Sequence, residues 1–377
     1  MDLEKPNLKN WRTQPHSAWA FRNVREIIPT AEIQNNPKKI WKLKSKQVSF
    51  KKECLIAMGK ETALDAVVIA KDDSILYEFY ANGAKVEDKH ILFSVSKSLL
   101  GLIAGCLISE GIIRKDDQIT DHLPELRGTA FDKATISHAL DMRVDVDFDE
   151  DYTATEGPII DYRYAANWNP APESMQNHDL KFFFKSLSTK QGSHGGNFHY
   201  VSPNTDVLAW LFEQASGRRY NELVSDYLWK PLGCESPAYI TVDRSGGMRA
   251  AGGVCAIPRD LARVGLMLAH NGNKEGKQII PKLWLKEIYD SGDEDAWKNG
   301  TFKEFFGSRS MHYKSKWYVC NNDGKLLHGF GIHGQYLFVD PVKKLAIAWM
   351  SSEADPLDPN LTDRTLKVVD EIRKALA

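Results

Sequence analysis

Two short runs of β-favouring residues, 66–70 and 75–80, flank the polar tetrapeptide Lys71-Asp72-Asp73-Ser74, a pattern that predicts a strand hairpin. At Ser94 the period changes. Leu99, Leu100, Ile103, Leu107 and Ile108 recur at helical spacing until Glu110-Gly111, so a helix buried over a broad face should follow Ser94 directly. From about 115 to 245 short helical patterns alternate with long polar and aromatic connections such as 151–169, which reads as a helical insert with few strands. After Gly252-Gly253, Pro258 and Asp260 open an amphipathic helix carrying Leu261, Val264 and Leu268. Strands at 335–339 and 345–350 then flank the turn Asp340-Pro341, and a helix over 361–376 ends the pattern. Strands towards both ends with helices between them predict an α+β fold, an antiparallel sheet flanked by helices. The expected division is a sheet domain from 1–93 together with 250–377, a mostly helical domain from 94–249, and an active site between them.

Composition narrows the function classes. The 49 basic and 50 acidic residues nearly cancel, and no Lys/Arg run is long enough to track phosphates or anchor to a bilayer, so neither nucleic acid nor membrane is an expected partner. The five cysteines, Cys54, Cys106, Cys234, Cys255 and Cys320, are scattered without CxxC spacing, which points to reduced thiols rather than a zinc site or a disulfide framework. The first 21 residues contain no apolar stretch of signal-peptide length, and the expectation is a cytoplasmic protein.

The candidate chemistry begins at Ser94-Val95-Ser96-Lys97. In S-x-x-K the lysine lies one helical turn after the serine and on the same face, so its nitrogen can reach the hydroxyl, while the helix N-terminus offers free N–H groups and partial positive charge. Ser49-Phe50-Lys51-Lys52 satisfies the same pattern, but in a charged segment with no buried helix behind it. A tyrosine followed two residues later by Ser or Asn could relay the proton, and Tyr80, Tyr200, Tyr289 and Tyr313 all fit. Tyr200 is favoured: the glycine-rich 192–196 precedes it, and Pro203 opens a helix that Gly217 ends. Gly329-Phe330-Gly331-Ile332-His333-Gly334 reads as G-x-G-x-x-G, yet β-favouring residues follow where a dinucleotide fold needs a helix. Small residues beside a strand edge instead suit an oxyanion site. There is no G-x-S-x-G and no H-E-x-x-H, and His194, His199, His328 and His333 read as packing or hydrogen-bonding residues.

Taken in order, these elements resemble the 6-aminohexanoate-dimer hydrolases, within the larger group of class C β-lactamases, DD-peptidases and family VIII esterases. The residues that carry the likeness are Trp19-Ala20-Phe21, Ser94 to Leu99, Asp151-Tyr152, Asn204 to Trp210, Ala262-Arg263-Val264-Gly265 and Ile332-His333-Gly334-Gln335. The resemblance implies a β-lactamase-like fold with an inserted helical domain. It also implies Ser94 as nucleophile, Lys97 and Tyr200 as the acid/base pair, and the N–H groups of Ser94 and Ile332 as the oxyanion hole. Tyr152, Asp161, Trp168 and His333 are the substrate-binding residues it suggests, with Tyr152 donating towards the scissile nitrogen, Asp161 receiving an ammonium and Trp168 covering the site. Ala251 stands where some amide-cleaving relatives carry a polar side chain, which makes ester cleavage the firmer expectation.

The expected function is therefore a serine hydrolase of linear amides or short-chain esters, acting through an acyl-enzyme without metal or organic cofactor. A β-lactamase or DD-peptidase, and a penicillin-binding-like sensor that is acylated without turnover, are the rival readings. A homodimer is left open.

Overall fold

The computed structural model describes residues 4–46, 48, 63–322 and 324–376. The second S-x-x-K at Ser49 and the thiol of Cys54 lie outside them.

The core is an eight-stranded sheet. Its strands are β2 (Lys44–Ser45), β3 (Leu64–Lys71), β4 (Ser74–Tyr80), β10 (Met311–Lys314), β11 (Trp317–Cys320), β12 (Leu326–Gly331), β13 (Gln335–Asp340) and β14 (Leu345–Ser351). They are ordered β10-β11-β12-β13-β14-β3-β4-β2, all antiparallel except the short β2/β4 edge pair. The sheet thus closes between chain segments far apart in sequence, with β14 paired to β3 through Trp349↔Val67 and Ala348↔Val68.

Strand alternation explains why these segments form a central layer. Val67, Ile69, Phe338, Ile347 and Trp349 face one core, shared with Leu366, Val369 and Ile372 of the C-terminal helix Pro359–Ala375. Ala66, Val68, Ala70, Leu337, Ala346 and Ala348 face the other. The small residues on that second face let the helix Pro258–Ala269 come close. A Cβ on its Gly265 would stand 2.7 Å from that of Ala346.

Helix α1 (Val95–Ser109) is buried from Val95 through Leu107, more completely than an amphipathic face requires. Gly101 and Gly105 make this feasible, since Cβ atoms there would meet Ser315 O at 2.0 Å and Trp284 at 2.2 Å. Between 94 and 249 the described residues carry one strand, β6 (Ala238–Thr241), among helices that include α2 (Pro158–Ala165) and α3 (Pro203–Ser216). With β1 (Thr30–Ile33), β7 (Val254–Ala256) and β5 (His90–Ile91), β6 forms a second sheet, order β1-β6-β7-β5, that leads directly into Ser94. The remaining strands, β8 (Asn273–Lys274) and β9 (Lys277–Gln278), make a separate hairpin. Among the described residues no helix is long and apolar enough to cross a membrane.

Candidate active site

Ser94 is the N-cap residue of α1, and from residue 90 to residue 107 it alone is not buried. The residue before it, Phe93, has φ +42°, a region costly for a bulky side chain. Packing holds it there. Its ring lies 4.9 Å from Phe21, 5.4 Å from His333, 5.9 Å from Trp168 and 6.1 Å from Trp11, centroid to centroid. The turn that presents Ser94 is therefore over-determined by an aromatic cluster.

Lys97 is 1% exposed. Its Nζ donates to Ser94 Oγ at 2.8 Å and to the Ala251 carbonyl at 2.7 Å. Burial pushes this amine down to about 7; Arg249 reinforces the shift, while Glu150 and Asp206 oppose it. Near neutral pH a substantial fraction is thus a free base already in contact with the hydroxyl it would deprotonate.

Tyr200 completes the group. Lys97 Nζ is 4.9 Å from its ring centroid, and its hydroxyl interacts with that of Ser94. Burial raises the phenol well above its ordinary value and Glu150 adds to this, outweighing the Ser94 hydroxyl and Arg249. Tyr200 is accordingly a protonated donor, not a phenolate. Its backbone is fixed on both sides: Phe198 N donates to Ala296 O, His199 N to Met142 O, and Tyr200 N to Thr301 Oγ1, before Pro203 opens α3. Tyr80, Tyr289 and Tyr313 have no interaction with Ser94 among the described residues. Tyr313 packs behind Tyr200, 4.8 Å from Phe198 and 4.7 Å from Tyr318.

The G-x-G-x-x-G segment is the β12/β13 hairpin, with strand on both sides. A Cβ on Gly331 would stand 2.9 Å from Ser94 N and 2.7 Å from Leu92 O, so only glycine allows this close approach. The neighbouring N–H groups of Ser94 and Ile332 make no backbone hydrogen bond in the loops and turns described. His333 is buried and neutral, pushed down to about 4 by desolvation, with Nδ1 2.7 Å from the Glu353 carbonyl. Only its Nε2 is left to meet a ligand.

Three charged residues at the site were not singled out from the sequence as site residues. Glu150 accepts hydrogen bonds from Tyr152 OH at 2.7 Å, from Ser202 N at 2.6 Å and from Ser202 Oγ. Asp206 and Arg249 form a buried pair at 2.5 Å, and Tyr162 OH lies 2.6 Å from each. Asp206 Oδ1 also accepts from Ala251 N at 2.7 Å, so the carbonyl that holds Lys97 belongs to a residue fixed by this pair. The available signal was Asn204-Thr205-Asp206, three polar residues on the buried first turn of α3.

Of the remaining expected residues, Tyr152 is half-buried and shares the Glu150 carboxylate with Ser202, two residues after Tyr200. Trp168 is buried over Gly252 and donates Nε1 to Thr241 Oγ1 at 3.1 Å. Asp161 is half-buried in the first turn of α2. Its carboxylate makes no hydrogen bond or ion pair among the described residues and is not among the charges that shift Lys97 or Tyr200. His194 is tied to Asp132 O and Asp145 N, and His328 sits in an aromatic layer with Phe306, Tyr318 and Phe338. Among the described residues no cluster of His, Cys, Asp and Glu could hold a metal ion.

The Beta-lactamase family model matches residues 59–370, more than half of the chain. The chain belongs to the beta-lactamase family. This is a family of serine hydrolases, and it includes amide- and ester-cleaving members. Within it, the chain is 34% identical over 358 residues to a 6-aminohexanoate-dimer hydrolase of Paenarthrobacter ureafaciens, covering 93% of this chain and 89% of that protein. A solved Bacillus anthracis structure, described as a candidate 6-aminohexanoate-dimer hydrolase, superposes with TM-score 0.87 at 24% identity over 99% of both chains. A family VIII carboxylesterase superposes with TM-score 0.61 at 13% identity, over 84% of this chain and 95% of that one. These two solved structures bear on the fold.

Proposed function

We propose that this protein is a serine hydrolase of linear amides and short-chain carboxyl esters in which Ser94 carries the acyl group. The observation that supports it most is the 2.8 Å contact between Ser94 Oγ and a Lys97 amine that burial brings to about 7. In this reading Lys97 takes the Ser94 proton as Oγ attacks the carbonyl carbon, and the N–H groups of Ser94 and Ile332 receive the developing oxyanion. Tyr200, kept protonated, hands its proton to the leaving nitrogen or oxygen and is reprotonated from Lys97. Water then attacks the acyl-Ser94 ester and releases the acid.

The amide substrate class rests on the likeness to the Paenarthrobacter ureafaciens dimer hydrolase. In that class the unpaired carboxylate of Asp161 receives a terminal ammonium, Tyr152 donates to the scissile nitrogen, and Trp168 and His333 wall the cleft. The protein acts in the cytoplasm, and small molecules are its partners. Ser94→Ala should abolish turnover of 4-nitrophenyl acetate and labelling by a fluorophosphonate, with the far-UV circular dichroism retained. Wild-type turnover in that variant would remove Ser94 as the nucleophile.

A further inference from the structure

Two guanidinium groups beside the site lack a carboxylate. Arg12 lies in the N-terminal loop, its Cζ 5.2 Å and 5.9 Å from the ring centroids of Trp11 and Trp168, and donates Nη2 to Asn169 Oδ1 at 2.5 Å. Arg163, on α2, donates Nη2 to the Tyr152 carbonyl at 3.1 Å. Neither forms an ion pair among the described residues. The contrast with other arginines is sharp: buried Arg249 holds Asp206 at 2.5 Å, Arg263 holds Asp260 and Glu235 at 2.9 Å and 2.6 Å, and Arg373 holds Asp340 at 2.8 Å.

The two unpaired groups meet on one stretch of chain: the Trp168 and Asn169 N–H groups donate to the Arg163 carbonyl at 2.9 Å and 3.2 Å, and Trp168 and Asn169 are both residues that Arg12 contacts. Burial lowers the Arg12 pKa first, and the charges of Arg163 and Arg249 lower it further. Arg163 is likewise lowered by burial, with Tyr152 and Glu150 opposing and Arg249 reinforcing. Both act on His333, the residue after the proposed oxyanion donor Ile332. The acids near Arg163 are engaged elsewhere, Glu150 with Ser202 and Tyr152, and Asp151 with the Thr153 N–H and hydroxyl at 2.8 Å and 2.7 Å. Holding two like charges together in a crowded, half-buried setting is costly without an anion, and a guanidinium fork fits a carboxylate in two-point contact.

We propose that Arg12 and Arg163 form a subsite for a carboxylate carried on the leaving group of the substrate. The subsite rests on the hydrolase reading above. The leaving-group side follows from the bond between Arg163 and the Tyr152 backbone, since Tyr152 stands beside Tyr200, the donor to the leaving atom. An amide whose amine half ends in a carboxylate fits this charge, while an ammonium on the acyl half would face Asp161.

The test uses the full-length protein and two matched pairs of esters. 4-Acetoxybenzoate and its methyl ester differ by a charge on the leaving group; 4-nitrophenyl hydrogen glutarate and 4-nitrophenyl butyrate differ by a charge on the acyl group. Arg12→Gln and Arg163→Gln should each lower the 4-acetoxybenzoate to methyl-ester ratio of kcat/KM by about 10-fold or more, the usual scale of a charge-assisted contact. Arg12→Lys should restore part of the ratio, and the acyl-side pair should respond to neither variant. Loss on the acyl-side pair instead, or an unchanged ratio with the methyl ester still hydrolysed, would overturn the subsite alone. Wild-type protein that hydrolyses neither the methyl ester nor the butyrate and takes no fluorophosphonate would overturn the hydrolase reading and the subsite with it. If the variants do not fold, inhibition of the wild type decides. Hexanoate should compete more tightly than neutral hexanamide and lose that advantage as ionic strength rises; no advantage for hexanoate at low ionic strength would overturn the proposal.

Discussion

Lys97 and Arg249 are two buried cations within electrostatic reach of each other, and the structure treats them in opposite ways. Arg249 has a carboxylate at 2.5 Å; burial works against its charge, but Asp206, Tyr162 and Glu150 outweigh it and its pKa rises. Among the described residues Lys97 has only the Ser94 hydroxyl and a carbonyl oxygen as hydrogen-bond partners, and burial prevails. One cation is made permanent and the other is made available for proton transfer. The difference lies in the partner, because a carboxylate in a low-dielectric site repays the desolvation of a charge that a neutral oxygen does not.

The comparison can be broken most severely at the neutral member. Lys97→Ala and Tyr200→Phe should each lower kcat by roughly 10² or more, with losses that do not add in the double variant, as expected for groups sharing one proton path. Steady-state kinetics with 4-nitrophenyl acetate measure both effects, and additive losses in log kcat would separate the two groups.

Breaking the charged member should act on stability first. Asp206→Asn leaves Arg249 buried without its counter-charge, and thermal or denaturant unfolding should show a loss of about 3 to 5 kcal/mol. The same change removes an anion that raises Lys97, so the acid limb of kcat/KM in the folded variant should move to lower pH. A limb that stays in place would uncouple the pair from the lysine.

In the unaltered protein that limb should lie near pH 7. Below it Lys97 gains a proton, and kcat/KM should fall about tenfold per pH unit, as read with a substrate of constant charge.

The smallest effect sharpens the comparison with a buried acid. Glu353, 4% exposed, has an Oε1 without a hydrogen-bond partner among the described residues, and burial raises its carboxyl to about 8 from 4.5. Between those values the folded state keeps a proton that the unfolded chain releases, so this group lowers stability as pH rises through that window. Glu353→Gln removes the titration. The melting temperature of the variant relative to wild type should climb from about pH 5 to about pH 8 and then level, and a constant difference would show that Glu353 is not protonated in the fold.

Much of this arrangement was legible in the chain. The hairpin 66–80, the helix after Ser94, the helix at Pro258 and the strands around Asp340 appear as expected, because local periodicity and turn residues specify them. Strands β10 to β12 and the helix Lys282–Asp290 were not anticipated. Buried on both faces, β11 and β12 show no polar alternation to mark them as strands. Within the site, Ser94 and Lys97 announce themselves because their relation is one turn of one helix, and the glycines of 329–334 because the residues after them favour strand.

Glu150, the Asp206–Arg249 pair and the unpaired Arg12 and Arg163 had no such local signature. Each acts on a residue far away in sequence, through contacts such as Arg249 with Asp206 or Arg12 with Trp168. The sequence by itself determined which segments become strand or helix and set the nucleophile one turn from its lysine, since those are properties of neighbouring residues. Only the tertiary structure decided how deeply that lysine is buried, which acid stands near which base, and which cations are left without partners. Charge state depends on desolvation and on distances across the fold, and these exist only once the sheet has closed around α1.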